Sequence, residues 1–247
     1  DSYVMTGAAM GSSFDGIAKG GNDILMAVGD HNYLFGDAVS ISSTAVGGDD
    51  RLATSGVDNV MVGNGGAYTF IVIGGSAVVV DLGYGGADVL QVSVDAAVYA
   101  TLAGDWTSTL STFSNGVAHI EANRFNIDLT SASGTQGWYV TDLNNTSSQA
   151  QPINLSGSAQ ADLIYGGGGN EVINGGLGND RLTGGGGNDT FAFSTAIAGG
   201  NNVDTITDFS AANDSIQLSG AIFSGLATDA SGQLSASAFA VGTATGA

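Results

Sequence analysis

The chain has no cysteine, a single proline (Pro152) and only four basic residues, Lys19, Arg51, Arg124 and Arg181, in 247. Without cysteine there is no disulfide framework and no thiolate metal site. With four basic residues against 23 acidic ones, the net charge is −19. No basic patch exists to meet nucleic acid or an anionic membrane. The longest apolar runs, such as 77–80, are far too short to span a bilayer, so no transmembrane segment is expected. Residues 1–20 lack the basic stretch and apolar run of a signal peptide. The chain does not begin with Met, as expected of a piece of something longer.

Catalytic signatures are missing too. The two histidines, His31 and His119, form no H-E-x-x-H pair; no G-x-S-x-G elbow occurs, and no glycine run ends in Gly-Lys-Ser/Thr. Carboxylates are abundant, but no pair is marked as a glycosidase acid and base. The chain is read as not an enzyme. His119 lies in an alternating strand, VAHIEAN; His31 lies in a turn and is a minor candidate ligand.

What the chain does have is glycine, 41 residues of it. The segment 166–192 reads GGGGNEVIN, GGLGNDRLT, GGGGNDTFA: three consecutive nine-residue units of pattern G-G-x-G-x-D-x-U-x, with U a large apolar residue. A degraded unit, GSAQADLIY, precedes them at 157–165. A flexible glycine linker would not repeat an apolar residue at Ile164, Ile173, Leu182 and Phe191. Glycines permit tight turns and a close approach of carbonyls to a cation. The sixth-position acid adds a hard oxygen donor, and calcium takes roughly 6–8 such oxygens.

This pattern resembles the RTX, or hemolysin-type, calcium-binding repeats of bacterial proteins secreted by type I systems and folded by calcium outside the cell. The resemblance implies an all-β fold, a parallel β-roll or β-solenoid whose turns take two units each. Asp162 and Asp180 would line one edge, and Glu171 and Asp189 the other. Each Ca2+ would sit between stacked turns, held by two carboxylates and by turn carbonyls. The implied metal-site residues are Gly157 and Asp162; Gly166, Gly167, Gly168, Gly169 and Glu171; Gly175, Gly176, Leu177, Gly178 and Asp180; Gly184, Gly185, Gly186, Gly187 and Asp189. Glu171 departs from the pattern, so its site is expected to be weaker or distorted. Calcium-side carboxylates are expected to have lowered pKa values and stay ionised.

The same register marks a second block. Stepping by nine from Asp23 places Asn32, Ile41, Asp50, Asn59 and Tyr68 at position six, and Leu25, Leu34, Leu52, Met61 and Phe70 two residues later. Only the turn around Ile41 fails. One solenoid principle is thus used twice. Most of these sixth positions have lost their acid, so calcium is expected only near Asp23 and Asp50, with Asp30, Asp37, Asp49 and Asp58 as nearby oxygens. The alternative is a β-solenoid that has kept the coil and lost most of its metal.

The expected organisation is a leading segment 1–16, an N-terminal degenerate β-roll 17–95, an irregular β-rich stretch 96–150, the calcium β-roll 151–195 and a C-terminal cap 196–247. The middle stretch is either an irregular continuation of the coil or an insert separating two rolls. Trp106, Trp138 and Tyr139 there are a minor candidate for carbohydrate stacking. The cap, DTITDFSAANDSIQLSGAIFSGL followed by LSASAFAVGTATGA, resembles the C-terminal bluetail domains of type I-secreted surface proteins and the caps of serralysin-like proteases. In that family the chain runs on into Tyr-rich strands and a secretion signal. Asp204 and Asp208 either complete the last calcium site or form a solvated strand face.

The implied function is a calcium-binding extracellular structural protein, a surface-layer, matrix or adhesion component, secreted to the exterior or cell surface. Its partners would be calcium, itself as a homo-oligomer, sheet or filament, or a cell-surface polysaccharide. The alternative is the calcium module of a larger secreted protease, lipase or polysaccharide epimerase.

Overall fold

The computed structural model describes residues 4–8, 15–17, 21–37, 48–146, 152–196, 202–224 and 226. Every strand pairing among them is parallel, and no helix occurs among them. The longest path of one sheet runs Val4–Ala8, Ile24–Val28, Arg51–Val62, Thr69–Leu82, Ala96–Leu102, Val117–Glu121, Trp138–Thr141, Leu163–Tyr165, Arg181–Thr183 and Thr205–Ile206. A second sheet stacks Trp106–Thr107, Ile127–Asp128, Ile153–Ser156, Glu171–Asn174, Thr190–Phe193 and Ser215–Leu218. Successive partners follow one another around a coil, which makes the molecule a β-solenoid.

The repeat register explains how the coil closes. Leu163 pairs with Arg181 and Val172 with Thr190, each partner lying two repeat units further on, so one turn consumes two units. The apolar position of each unit then falls on the inner face. Leu25, Leu34, Leu52, Met61, Phe70, Ile164, Ile173, Leu182 and Phe191 are all fully buried. They join one continuous core that runs through both blocks. Ile41 lies outside the described residues.

The middle stretch continues the coil. Tyr99, His119 and Tyr139 are register partners at equal intervals, each a little longer than two repeat units. Longer turns suit a wider interior: Trp106 and Trp138 lie inside it, edge to face with ring centroids 6.2 Å apart. Nε1 of Trp106 donates to the Asp88 carbonyl at 2.9 Å. Neither tryptophan is available as a stacking platform, because each supplies the bulk that fills these longer turns. Tyr139 alone of that trio is on the outer face, where its ring stacks on His119 at 4.2 Å and Tyr99 meets the same imidazole edge-on at 4.7 Å.

Residues 205–218 carry both sheets past the last nonapeptide. Thr205–Ile206 adds to Arg181–Thr183 and Ser215–Leu218 adds to Thr190–Phe193, covering the last turn on both sides. Residues 227–247, with the second part of the cap resemblance, lie outside the described residues.

Candidate metal centre

Two rows of sixth-position side chains run along opposite edges of the coil. On one edge the Asp162 N–H donates to Asp180 Oδ1 at 2.7 Å, and the Asp180 N–H to Asp204 Oδ1 at 3.1 Å. On the other, the Glu171 N–H donates to Asp189 Oδ1 at 2.9 Å and the Asp189 N–H to Asp214 Oδ1 at 3.1 Å. One oxygen of each accepting aspartate is thus spent on the backbone of the turn before. This places the four repeat acids on two edges in the order the repeat spacing implies.

The glycines shape the other side of each edge. A Cβ on Gly175 would lie 2.2 Å from Asp180 Oδ2, and one on Gly184 2.3 Å from Asp189 Oδ2. Gly157 and Gly166 stand in the same relation to Asp162 and Glu171. The first glycine of each unit therefore makes room for the acid at its sixth position. Gly167, Gly176, Gly178, Gly185 and Gly187 have positive φ, and a Cβ on any of them would strike a carbonyl of the previous turn. Turns stack carbonyl over glycine, and the N–H groups of Leu177 and Gly186 donate to the carbonyls of Ser158 and Gly167. Gly168 makes the same contact to Asn145, and Gly169 packs against the side chains of Asn145 and Glu171.

The edges are rich in oxygen and short of protons. Oδ2 of Asp180 and Oε2 of Glu171 are buried and accept no hydrogen bond. Burial first, then the negative charges of Asp162 and Asp204, push the Asp180 carboxyl up to about 7. Burial, then Asp189 and Asp142, push Glu171 up to about 9. Burial likewise raises Asp162 to about 6, and it raises Asp189 and Asp204. The expected depression belongs to calcium-bound carboxylates; burial by itself acts in the opposite direction. Packing withdraws the carboxylates from water, and a bound cation would favour their charged form. Orphaned, desolvated carboxylate oxygens beside carbonyl-lined glycine turns fit a hard cation with oxygen ligands. Asp180, Glu171 and Asp189, with turn carbonyls, would hold it, and it would supply charge neutralisation and a staple between turns. Among the described residues no point gathers three or more His, Asp or Glu side chains, so backbone oxygens would have to complete the shell.

Not every repeat acid is equally open. Both oxygens of Asp162 are already used: Ser158 donates its N–H and hydroxyl to them, and Trp138 N–H donates to Oδ1 at 2.6 Å. Asp208 receives the Gly184 and Gly185 N–H groups at 3.0 and 2.7 Å, so it caps turn backbone from an exposed position. Asp214, which the repeat step misses, ends the Glu171–Asp189 row. Its signal is the Asn-Asp dipeptide, shared with 179–180 and 188–189.

The first block keeps the same ladder with different side chains, but its opening turns take three units rather than two, with Leu25 pairing with Leu52 and Leu34 with Met61. The Asp23 N–H donates to Asp50 Oδ1 at 2.7 Å, the Asn32 N–H to Asn59 Oδ1 at 2.9 Å and the Tyr68 N–H to Asp88 Oδ1 at 2.9 Å. Asparagine at position six thus keeps the ladder while removing the charge. Asp50 Oδ2 is buried and accepts no hydrogen bond, and its carboxyl is pushed up to about 7 by burial and then by Asp37, Asp23 and Asp49. Asp30 and Asp49 accept N–H groups of Val57 and Ala67 in the next turn, Asp58 pairs with His31 at 3.6 Å on the surface, and Asp37 accepts the Tyr68 hydroxyl at 2.6 Å. Among the described residues no three of these acids converge on one point.

The description "RTX calcium-binding nonapeptide repeat", in four copies, matches residues 154–182 and 165–193. No curated protein and no solved structure matches the chain. Among the described residues no helix is long and apolar enough to cross a membrane. Residues 154–193 are RTX calcium-binding nonapeptide repeats, built into a longer β-solenoid.

Proposed function

We propose that this protein is a calcium-folded extracellular structural component, a surface-layer, matrix or adhesion solenoid, exported unfolded and ordered by calcium outside the cell. The observation that carries the reading is the pair of stacked acid rows, whose buried oxygens at Asp180 and Glu171 lack proton donors. Without a cation such rows are a liability at neutral pH; with one they become the links between turns. Calcium that binds only the folded chain stabilises it by mass action, about 1.4 kcal/mol per site at ten times the dissociation constant. Extracellular calcium modules bind at roughly 10⁻⁴–10⁻³ M, well above cytosolic levels, which keeps the chain open for export.

The outer sheet face supports a role in assembly. Tyr33, Val60, Val78, Tyr99, His119, Tyr139 and Leu163 are successive register partners on neighbouring strands. Five of them are large apolar or aromatic residues with more than a third of their surface exposed. A second copy of this chain is the occupant that fits. The charge of −19 keeps copies apart until bound cations neutralise it, so folding and association share one trigger.

A calcium titration of the chelated protein, followed by circular dichroism and light scattering, tests this. Cooperative gain of β structure followed by large particles supports it. Folding without association favours the calcium module of a larger secreted enzyme. A β signal and thermal midpoint that ignore chelation would sink the folding switch.

A further inference from the structure

The acid rows do not end with the nonapeptides. Where the calcium roll meets the coil before it, the turn after Trp138–Thr141 brings Asp142 and Asn145 against Glu171, and neither Asp142 nor Asn145 lies in the matched repeats. Asp142, Asn145 and Glu171 are 0, 1 and 1% exposed, so all three are sealed from bulk water. Asn145 bridges both acids: its Nδ2 donates to Glu171 Oε1 at 2.8 Å, and its side chain also hydrogen-bonds the Asp142 carboxyl. Asp142 Oδ1 accepts the Arg124 N–H at 2.7 Å. That leaves Asp142 Oδ2, Asn145 Oδ1 and Glu171 Oε2 buried with no hydrogen bond.

Three orphaned acceptors at one seam demand a partner. Among the described residues no Lys, Arg or His nitrogen lies within ion-pair distance of Asp142 or Glu171. The negative charges of Glu121 and Asp189 bear on the two acids from either side, and only exposed Arg124 offsets them. A water molecule has two protons for three acceptors and cancels no charge. A hard divalent cation seated between them would take all three oxygens as ligands and offset the carboxylate charge. The donors are all oxygens and include a neutral amide, which suits calcium.

We propose that Asp142, Asn145 and Glu171 form a calcium seat at the seam between the nonapeptide roll and the upstream coil. It shares Glu171 with the roll and otherwise stands outside it. Calcium there ties a longer turn, from Tyr139 to its partner Leu163, to the shorter one from Leu163 to Arg181, on the edge opposite the one where Asp162 accepts the Trp138 N–H. It also accounts for glutamate in place of aspartate at 171, since the longer side chain reaches back to Asn145.

The test is the number of calcium ions bound per full-length chain, measured by equilibrium dialysis with labelled calcium. Asp142→Asn keeps the acceptor for the Arg124 N–H and removes the charge. It is expected to bind one ion fewer than the parent with the same β signal. An unchanged count in a folded Asp142→Asn chain overturns the seam site. Asp180→Asn separates this from the roll: if it loses calcium while Asp142→Asn does not, the roll reading stands and the seam falls. Should Asp142→Asn fail to fold, Asn145→Asp decides. A calcium seat predicts several-fold tighter binding of one ion, because a third carboxylate joins it. A seam holding water or a shared proton predicts unchanged or weaker binding and overturns the proposal.

Discussion

The Asp162 N–H donates to Asp180 Oδ1 at 2.7 Å, one full turn away, while Oδ2 of the same Asp180 is left facing Gly175 without a partner. The Asp180 side chain therefore has two separable duties, one to the backbone ladder and one to a cation. Asn59 shows the separation in nature, since it accepts the Asn32 N–H with no charge at all. Asp180→Asn is expected to keep the metal-free fold and lose the calcium response at that edge. Asp180→Ala removes both duties and strands a buried N–H, at a cost of about 1–3 kcal/mol. Thermal midpoints in chelator and in calcium distinguish the two: the asparagine variant should fall only in calcium, the alanine variant in both.

Glycine substitutions should split by position, although all the glycines look alike in the sequence. Gly187 has φ 120° and a Cβ there would lie 1.7 Å from the Gly169 carbonyl oxygen. Its alanine variant cannot stack on the previous turn and should lose the calcium-induced β signal. A Cβ on Gly186 meets nothing closer than 3.8 Å, and no positive φ holds it. Gly186→Ala is expected to fold normally and to gain about 0.4–1 kcal/mol by stiffening the unfolded chain. Chelator-dependent melting of the two variants side by side checks this.

The apolar ladder is the legible part of the chain. Counting nines places Leu25, Leu52, Phe70, Ile173 and Phe191 in the core, because a side chain at a fixed step around a coil must face inward. The middle stretch escapes that count. Val98, Ala118 and Trp138 are register partners spaced a little wider than two repeat units, so a step of nine drifts off them. Asp88 and Asp214 escape likewise, since turns longer than two units carry the ladder at those points. The raised carboxyl pKa values are out of reach altogether. They come from packing between turns, which composition does not express.

Those pKa values set a pH dependence whose sign changes with calcium. In chelator, Asp162, Asp180 and Glu171 have folded-state values of about 6, 7 and 9, above those of ordinary carboxyls. A group raised in the folded state stabilises it below the unfolded value and loses that contribution as pH rises through the folded value. The metal-free chain should therefore melt progressively lower between about pH 5 and 9. With calcium the acids are held ionised, so calcium must displace protons and binds more tightly as pH rises through the same range. Melting curves on the acid and alkaline sides of that range, with and without calcium, measure the first half. Proton release on calcium addition to a weakly buffered sample measures the second. A chain whose melting is independent of pH in chelator contradicts the buried-acid account.

The outer face makes the last prediction. Tyr99 and Tyr139 flank His119 in register, and Leu163 follows Tyr139 on the next strand, so their exposed surfaces form an apolar strip along the coil. None of the three belongs to the buried core, so replacing them with threonine keeps a residue suited to strands and leaves the interior intact. The triple variant is expected to fold with calcium as the parent does, because the acid rows and core are untouched. Its calcium-induced light scattering should fall by most of its amplitude if the strip is where copies meet. Removing the Tyr139 ring also opens the stack on His119, so a single Leu163→Thr variant serves as the control that leaves the aromatic contacts in place. A partial loss of scattering in the single variant and a near-complete loss in the triple, at equal β content, would assign association to this face; equal scattering in all three proteins would place it elsewhere.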